Sequence, residues 1–572
     1  MKKLSSGFLD LSVNTSPAKP SFSAALTYLL LFVLFLLIVS IAILACVPPV
    51  SRDALTQHLT LPKLYLHHGR IYEIPELDFS YNPMNLDLLY MICLYFKNDI
   101  LPKFVHFFFA LVTAGLIYHY LKKRLNNVYA ILGAIFFLSI PIIVNLSTSA
   151  YVDLGLICFS FASLLCLLKW VETGYELRWL VVSGIFCGLG LGTKYNGLIT
   201  LFLVACFIPL IYLRSRSADG GKSVRSMGYA LIFVSISLLL YAPWGIRNYA
   251  WTKNPIYPLF DHVISSGSGS DRGKIEKGDL YSKISELKLR KDLFNESPLQ
   301  VLLIPIRIFF QGKDGDPKYF DGRLNPFLFF LPFFAFFNQK SVRQEKMEKL
   351  IFLFFSILFI LFVFARRDMR IRYVAPVIPP LVILSVYGLN NAWQYIESRT
   401  KKAGTGSVFI FKLLLILCIM TCFMLNLFYI FDRYQYLRPI QYITGKISPQ
   451  AYIQRYWPEY GVFRYANSHL SQKAKILGLY IGKRGYYIDR DITFDYNLLY
   501  DAARTSRDAY EIAKKLNEDG ITHLIVNYQL FNFWVNKNLS ADALKRLSIF
   551  FVQNVKRLYR KDGVGIYELK PV

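Results

Sequence analysis

Long apolar segments, separated by short polar ones, fill most of the first 431 residues. The first covers residues 22–47, follows a basic N-terminal stretch and does not end in a small-residue cleavage pattern. Ten more lie at 101–121, 128–147, 150–168, 179–192, 197–213, 228–243, 325–337, 350–365, 373–393 and 407–431. A helix of about 20 apolar residues crosses the roughly 30 Å hydrocarbon core of a bilayer. The pattern predicts a polytopic α-helical membrane protein with about eleven spans, the first of them retained.

Basic residues mark the loops on one side of these segments. If the N-terminal tail is cytoplasmic, five loops on the same side carry Lys or Arg: 122–124, 169–178, 214–225, 340–349 and 399–402. Cytoplasmic loops are enriched in these residues, so this orientation is expected. The odd number of spans then leaves the C-terminal tail outside. The segments 179–192 and 325–337 are short, and an error of one span would reverse the orientation of everything after it.

Two long external loops interrupt the transmembrane part. The first, 48–100, contains an apolar run at 86–96 that is too short to span and is predicted to lie in the interface as an amphipathic helix. The second, 244–324, holds a Gly/Ser-rich stretch at 265–273 and a helix-like run at 299–310. Loops of this length commonly shape a binding site.

The pattern changes after residue 431, where short apolar runs alternate with charges. Runs at 475–480, 522–527 and 565–569 predict strands, and runs at 506–518 and 541–550 predict helices. The expected parts are a cytoplasmic tail (1–22), a transmembrane domain (23–431) and a small external α/β domain (432–572).

The composition agrees with a membrane protein, because 54% of the residues are hydrophobic and 16% are aromatic. The net charge of +27 could indicate a nucleic acid partner, but much of it lies in the short cytoplasmic loops. There it sets topology and attracts anionic headgroups, so no nucleic acid partner is expected. All eight cysteines lie in apolar segments, so neither a disulfide framework nor a CxxC metal site is predicted.

Ionisable residues gather at the predicted external ends of the spans. Asp53 and His58 follow the first span, and Asp153 lies at the outer end of the fourth. An ionisable residue at a membrane boundary is costly unless it serves a site. Four arginines lie within 366–372, on the side where basic residues are disfavoured. Arginine fits phosphate oxygens, so a lipid phosphate would explain them; pairing with carboxylates or headgroups is the alternative.

Several short patches, in order along residues 20–395, resemble the polyprenyl-phosphate-dependent GT-C glycosyltransferases. The first is Asp53-Ala54-Leu55-x-x-His58-Leu59, followed by Pro62-Lys63-x-Tyr65-Leu66 and Gly69-Arg70-Ile71. The others are 150–153 (AYVD), 190–197 (GLGTKYNG), 247–248 (RN) with Asn254-Pro255-x-x-Pro258, and Arg372-Tyr373-x-x-Pro376. The pattern is similar to that of bacterial aminoarabinose lipid A transferases and protein O-mannosyltransferases.

The resemblance implies an inverting transfer of a hexosyl or pentosyl group from a polyprenyl-phosphate donor to an acceptor. It gives Asp53 the role of general base, with His58 orienting it or touching the acceptor. The leaving phosphate would be bound by Arg370 and Arg372, with Arg247 and Lys194 as second choices. Lys194 could equally be a lysine snorkelling from a short span to the interface.

A divalent cation is a further expectation of the resemblance, since some relatives use one. Asp153 would contact substrate or, with Asp53, hold Mg²⁺ or Mn²⁺. No Asp-x-Asp motif supports the metal, so no cofactor is assigned.

The expected location is a bacterial inner membrane, with the site facing the periplasm and membrane lipids around it. The acceptor remains open among a lipid, a glycan and a protein hydroxyl. A flippase or transporter for polyprenyl-phosphate-linked lipids is the rival interpretation, because it too would present basic residues to a lipid phosphate. It predicts charges at mid-membrane and broken helices in paired halves, neither of which the sequence indicates.

Overall fold

The computed structural model describes residues 24–214, 221–261, 286–337, 342–365, 369–400 and 405–571. Three sequence predictions lie outside these residues: the cytoplasmic tail at 1–22, the Gly/Ser-rich stretch at 265–273, and the first part of the arginine-rich segment, Arg366 to Asp368.

All eleven predicted apolar segments are helical. Labelled in chain order, the helices of the first 261 residues are α1 Ala24–Ala45, α2 Thr60–His68, α3 Asn85–Tyr95, α4 Leu101–Arg124, α5 Asn127–Ser139, α6 Pro141–Ser147, α7 Asp153–Glu172, α8 Leu177–Leu191, α9 Gly197–Leu213 and α10 Lys222–Thr252. Those of the next part are α11 Glu286–Phe294, α12 Pro298–Leu302, α13 Ile304–Arg307, α14 Phe327–Phe334, α15 Arg343–Phe364, α16 Ile378–Thr400 and α17 Thr405–Leu437. Helix α17 thus extends six residues beyond the predicted domain boundary at 431.

Among the described residues, seven helical segments are long and apolar enough to cross a membrane. An eighth candidate is the pair α5 and α6, which is bent by 67°. The bend falls at Ile140, where the backbone is extended (ψ 131°), because the following Pro141 disfavours a helical conformation at the residue before it. Helices α8, α9 and α14 are shorter than a full span, so the count of about eleven spans stays a prediction.

The end of the bundle that carries the predicted cytoplasmic loops is tied together by charge pairs. Arg124 Nη2 lies 2.5 Å from Glu348 Oε1, and the Tyr120 hydroxyl donates to the same carboxylate at 2.7 Å. Lys123 and Lys169 both contact Glu172, at 2.6 and 3.0 Å. Helices α4, α7 and α15 are therefore fixed to one another at the end opposite Asp53.

The first external loop is mostly helical. A single π-helical turn covers Ala54–His58, closed by the Leu59 N–H donating to the Ala54 carbonyl at 2.9 Å. Helix α2 follows directly and ends at Gly69, whose φ of 66° is the left-handed conformation of a helix C-cap. The apolar run predicted at 86–96 is helix α3, Asn85–Tyr95.

A buried carboxylate organises the described part of the second external loop. Glu296 lies 2.6 Å from Arg290 Nε and 2.8 Å from Arg307 Nη2. Both guanidinium groups lie over the Phe320 ring, at 5.0 and 5.5 Å. These contacts hold α11, α13 and the 313–323 turn as one unit above the bundle.

The C-terminal part folds around a five-stranded sheet. Its strands are β1 Lys475–Leu479, β2 Asp491–Thr493, β3 His523–Asn527, β4 Val555–Lys561 and β5 Val564–Leu569, in the order β2-β1-β3-β5-β4. Pairs β1–β2 and β1–β3 are parallel, and β3–β5 and β4–β5 are antiparallel. The helices are α18 Pro439–Ile443, α19 Pro449–Tyr456, α20 Tyr460–His469, α21 Asn497–Thr505, α22 Ala509–Glu518, α23 Tyr528–Asn538 and α24 Ala541–Gln553. The three predicted strands and both predicted helices are confirmed, while the short β2 and the charged β4 were missed.

This C-terminal domain is docked on the first external loop. Lys63 Nζ donates to the carbonyls of Tyr486 and Ile488, each at 2.7 Å, and lies 2.9 Å from Asp489. The Tyr487 hydroxyl donates to the Pro49 carbonyl at 2.8 Å. The domain therefore contacts the loop on both sides of Asp53 in sequence.

Candidate active site

A cavity of about 760 Å³ opens where the first external loop, the α8–α9 connection and the 370–373 segment meet. Gly482 and Lys483 of the C-terminal domain form part of its rim. Five of the seven residues singled out from the sequence line it: Asp53, His58, Lys194, Arg370 and Arg372. Parts of the chain more than 300 residues apart thus bring one set of ionisable groups to one wall.

Asp53 forms an ion pair with Arg372 in this cavity. The Oδ2–Nη1 distance is 2.6 Å, and both side chains are largely buried. The Arg372 guanidinium lies over the rings of Tyr151 and Tyr373, at 5.1 and 5.3 Å. Burial alone would raise the pKa of Asp53, but the charges of Arg372, His58 and Lys194 outweigh it and hold the pKa below its ordinary value. Asp53 is therefore a carboxylate at neutral pH.

His58 is held by a second carboxylate that the sequence analysis did not select. Its Nδ1 lies 2.8 Å from Oδ1 of Asp87 on α3, and both residues are buried. Asp53 immediately precedes the π turn and His58 ends it, and both side chains line the cavity. The signal for Asp87 was present: it is the single acidic residue in the apolar run 86–96.

Asp153 and Lys194 form a second ion pair beside the first. Asp153 begins α7, and its Oδ1 lies 2.6 Å from Lys194 Nζ. The Asp153 side chain is only 2% exposed, whereas Lys194 reaches the cavity wall. Asp153 therefore lies behind Lys194 and holds it, so its predicted contact with substrate has no support in its position.

A buried histidine, His106 of α4, fixes the start of α7. Its Nδ1 donates to the carbonyls of Leu146 and Ser149, each at 2.9 Å, and its Nε2 accepts the Leu154 N–H at 2.8 Å. Two carbonyl partners at Nδ1 assign the proton to that nitrogen. His106 thereby positions Asp153 at the first turn of α7, a role that the sequence did not indicate.

Arg247 lies outside the cavity lining. Its Nη2 donates to the Asn82 carbonyl at 2.9 Å and to Asn248, and its guanidinium lies over the rings of Trp244 and Trp251. These contacts tie α10 to the first external loop, so the structure gives Arg247 a supporting position. Arg370 does line the cavity, and its Nη1 lies 3.4 Å from Asp321.

The carboxylates do not fit a divalent cation. Asp53 and Asp153 are each bound to a cationic side chain at 2.6 Å, which leaves no shared oxygen cage for Mg²⁺ or Mn²⁺. No group of three or more His, Cys, Asp and Glu side chains within the described ranges has the placement of a metal site.

Comparison with known proteins connects this arrangement to a known architecture. The family model described as dolichyl-phosphate-mannose-protein mannosyltransferase matches residues 91–246, less than half of the chain. No curated protein sequence matches.

Two solved structures of ArnT from Cupriavidus metallidurans resemble the chain over nearly its whole length. The apo structure is 14% identical, with a TM-score of 0.55, and covers 96% of this chain and 98% of that one. The structure bound to undecaprenyl phosphate is 12% identical, with the same TM-score and the same coverage. This similarity includes the C-terminal sheet as well as the helical bundle, and it confirms the fold that the sequence patches predicted.

Proposed function

Because the chain has the GT-C fold of ArnT from end to end, we propose that it is a membrane glycosyltransferase using a polyprenyl-phosphate-linked sugar. One observation carries the proposal: a carboxylate, Asp53, shares a cavity wall with the cations Arg372 and Lys194 at one end of the helical bundle. A proton acceptor beside positive charge is what transfer from a sugar phosphate requires.

The reaction breaks one bond to the anomeric carbon and forms another. Asp53 takes the proton of the acceptor hydroxyl as that oxygen attacks the anomeric carbon. The bond between this carbon and the phosphate oxygen breaks, and polyprenyl phosphate leaves with the electron pair. Attack opposite the leaving group inverts the anomeric configuration.

Arg372 is the main candidate for binding the leaving phosphate. Its Nη1 contacts Asp53, while its buried Nε has no hydrogen-bond partner among the described residues. A planar guanidinium can bridge a carboxylate and a phosphate, since its donors point in different directions. Arg370 and Lys194 add positive charge on the same wall, and Arg247 supports the wall from behind.

The proposed setting is a bacterial inner membrane with this cavity on the periplasmic side. Undecaprenyl phosphate, which is bound in one of the ArnT structures, is the carrier we propose for this chain. The acceptor would be an envelope lipid, glycan or protein, and membrane lipids surround the bundle.

A transfer assay in proteoliposomes tests the proposal. Undecaprenyl-phosphate-linked radiolabelled sugars are supplied with an envelope extract, and the native chain is compared with Asp53→Asn and with Asp501→Asn, an exposed control. Label should pass to an acceptor with the native and control chains and fall on the order of 10² to 10⁴-fold with Asp53→Asn. Label that crosses the bilayer still attached to its carrier, equally with all three chains, would instead establish a transporter.

A further inference from the structure

A separate pocket, of about 510 Å³, lies in the second external loop. It is bounded by the end of α11, by α12 and α13, and by the 310–319 segment. No residue that the structure describes lines both this pocket and the cavity that holds Asp53. A ligand bound here would therefore leave the candidate active site open.

Positive charge exceeds negative charge in this pocket. The Glu296 carboxylate pairs with two guanidinium groups, which leaves one positive charge over. Lys318 also lines the pocket, and no acidic side chain of the described residues lies within ion-pair distance of it. Lys313 has Asp316 at 3.3 Å, but the lysine side chain is 60% exposed, and a pair of this kind contributes little. The pocket therefore favours an anion.

Two glutamine side chains add hydrogen-bond donors to the pocket. Gln300 accepts the Ser297 N–H through Oε1 at 2.8 Å, and Gln311 accepts from Nε of Arg307 through Oε1, also at 2.8 Å. Neither Nε2 has a protein partner in the part of the chain that the structure describes, so both amides offer donors to a ligand. Ammonium and amide donors together suit the oxygens of a phosphate group.

An exposed apolar face lies beside these polar groups. Leu299, Leu302, Leu303 and Ile306 follow the i, i+3, i+4, i+7 spacing of one helical face, and each is between 39% and 67% exposed. An apolar face next to basic residues is typical of helices that lie in a membrane interface. The face formed by α12 and α13 therefore suits the boundary between headgroups and acyl chains.

The apolar face continues onto α14, one of the predicted membrane helices. The ring of Phe310 lies 5.7 Å from that of Phe329 and 5.5 Å from that of Phe330. Phe330 and Phe333 are themselves 49% and 58% exposed, as expected where a helix faces lipid. Acyl chains that lie along α14 would thus reach Phe310, which also lines the basic pocket.

We propose that this pocket binds the headgroup of an anionic phospholipid, whose acyl chains lie along the apolar face of 299–310 and along α14. Lys318 and Lys313 bind its phosphate, and the amides of Gln300 and Gln311 donate to the headgroup oxygens. The charge complementarity favours an anionic phospholipid over a zwitterionic one.

The bound lipid would also act on the candidate active site. Lys313 and Lys318 belong to the same turn as Asp321, which lies 3.4 Å from Nη1 of Arg370 on the wall of the first cavity. A phospholipid that holds the two lysines therefore steadies the turn that positions Asp321. Lipid binding itself does not depend on transferase activity.

Photocrosslinking in nanodiscs tests the proposal. The full chain, in phosphatidylcholine nanodiscs that contain a photoactivatable phosphatidylglycerol, is irradiated, and the labelled peptides are identified by mass spectrometry. The variants are Lys313→Gln with Lys318→Gln, and Lys313→Arg with Lys318→Arg. The matched control is Lys291→Gln, an exposed lysine of α11 outside the pocket lining. Label on other lipid-facing helices is the internal reference, and thermal unfolding shows whether each variant is folded.

We expect label within residues 293–310 that excess phosphatidylglycerol displaces and excess phosphatidylcholine does not. The double Gln variant should lose this label about tenfold or more relative to the reference helices, because two charged donors are removed. The double Arg variant and Lys291→Gln should keep it within about twofold.

Label that is unchanged in the double Gln variant, or that phosphatidylcholine displaces equally well, would overturn the proposal. Displacement by glycerol 1-phosphate at the same concentration as phosphatidylglycerol would assign the pocket to a free phosphate. Preferential displacement by undecaprenyl phosphate would assign it to the lipid carrier. Each of these results rejects a phospholipid site, and none depends on the transfer assay, so either proposal can fail alone.

Discussion

Nδ1 of His58 lies 2.8 Å from Oδ1 of Asp87, and the pair borders the cavity next to Asp53. A carboxylate oxygen accepts and does not donate, so Nδ1 donates to Asp87, and this hydrogen bond fixes the orientation of the ring. Asp87→Asn should therefore lower transfer roughly 10- to 100-fold through misorientation of the ring, as carboxylates that orient histidines do elsewhere. Initial rates at saturating donor check this.

The matched comparison is His58→Gln alone and together with Asp87→Asn. If the two residues act as one unit, the double variant is no slower than His58→Gln. Fully additive losses would show that Asp87 acts independently of the histidine.

Replacing Arg372 should move the acid limb of the pH–rate profile. The Arg372 charge is the largest influence that lowers the pKa of Asp53, and burial opposes it. In Arg372→Gln, burial remains and the pKa of Asp53 rises, so activity is lost at a higher pH than in the native chain. In the native chain, the pKa of Asp53 lies below the ordinary Asp value of about 3.9, so the acid limb should fall below that pH. The pH–rate profiles are measured at saturating donor, with Arg370→Gln as the control. If the acid limbs of Arg372→Gln and of the native chain coincided, the proposed pairing of Asp53 with Arg372 would be refuted.

The Asp153–Lys194 pair should show strong coupling in stability. Lys194→Met leaves a carboxylate that is 2% exposed without its partner, which typically costs about 3–5 kcal/mol. Asp153→Asn combined with Lys194→Met should be more stable than Lys194→Met alone, because no buried charge is then left unpaired. Denaturant unfolding in detergent measures these free energies. A double variant as unstable as the sum of the single variants would contradict the pairing.

Loss of the Lys63 contacts should loosen the first external loop. Lys63→Met removes one ammonium that binds two carbonyls and a carboxylate of the C-terminal domain. Hydrogen exchange should rise at 52–68 and at 486–489, and transfer should fall with it. Lys97→Met, an exposed lysine of the same loop, serves as control. Unchanged exchange at 52–68 would show that the loop holds its shape without the domain.

The sequence predicted the positions of the helices better than it predicted which of them cross the membrane or where every strand lies. Apolar length identifies helical segments, and every predicted segment is helical, but length alone does not decide whether α8, α9 and α14 cross the membrane. The strands β2 and β4 were missed for different reasons. The first has three residues, and the second is charged because it lies at the sheet edge, where alternate side chains meet water.

In the candidate site, the residues themselves were easier to predict than the ion pairs and hydrogen bonds that they form with one another. Asp53 stood out because charge at a membrane boundary is costly. Arg372 stood out because basic residues are disfavoured on the predicted external side, and Lys194 was selected through the family resemblance. Asp87 and His106 were not selected, since the role of each depends on a partner that is distant in sequence. Arg247 has the residue type that binds phosphate, but its hydrogen bond to the carbonyl of Asn82, 165 residues away in sequence, is a tertiary contact.

The π turn at Ala54–His58 makes this region sensitive to the number of residues as well as to their identity. Each residue of an α-helix turns the chain by about 100°, so removing one from the turn would rotate all of α2 by that angle. Lys63 would then point away from the carbonyls of Tyr486 and Ile488. Gln57→Ala should therefore be tolerated, whereas deletion of Gln57 should not, because the number of residues in the turn sets the rotation of α2 relative to Asp53 and to the C-terminal domain.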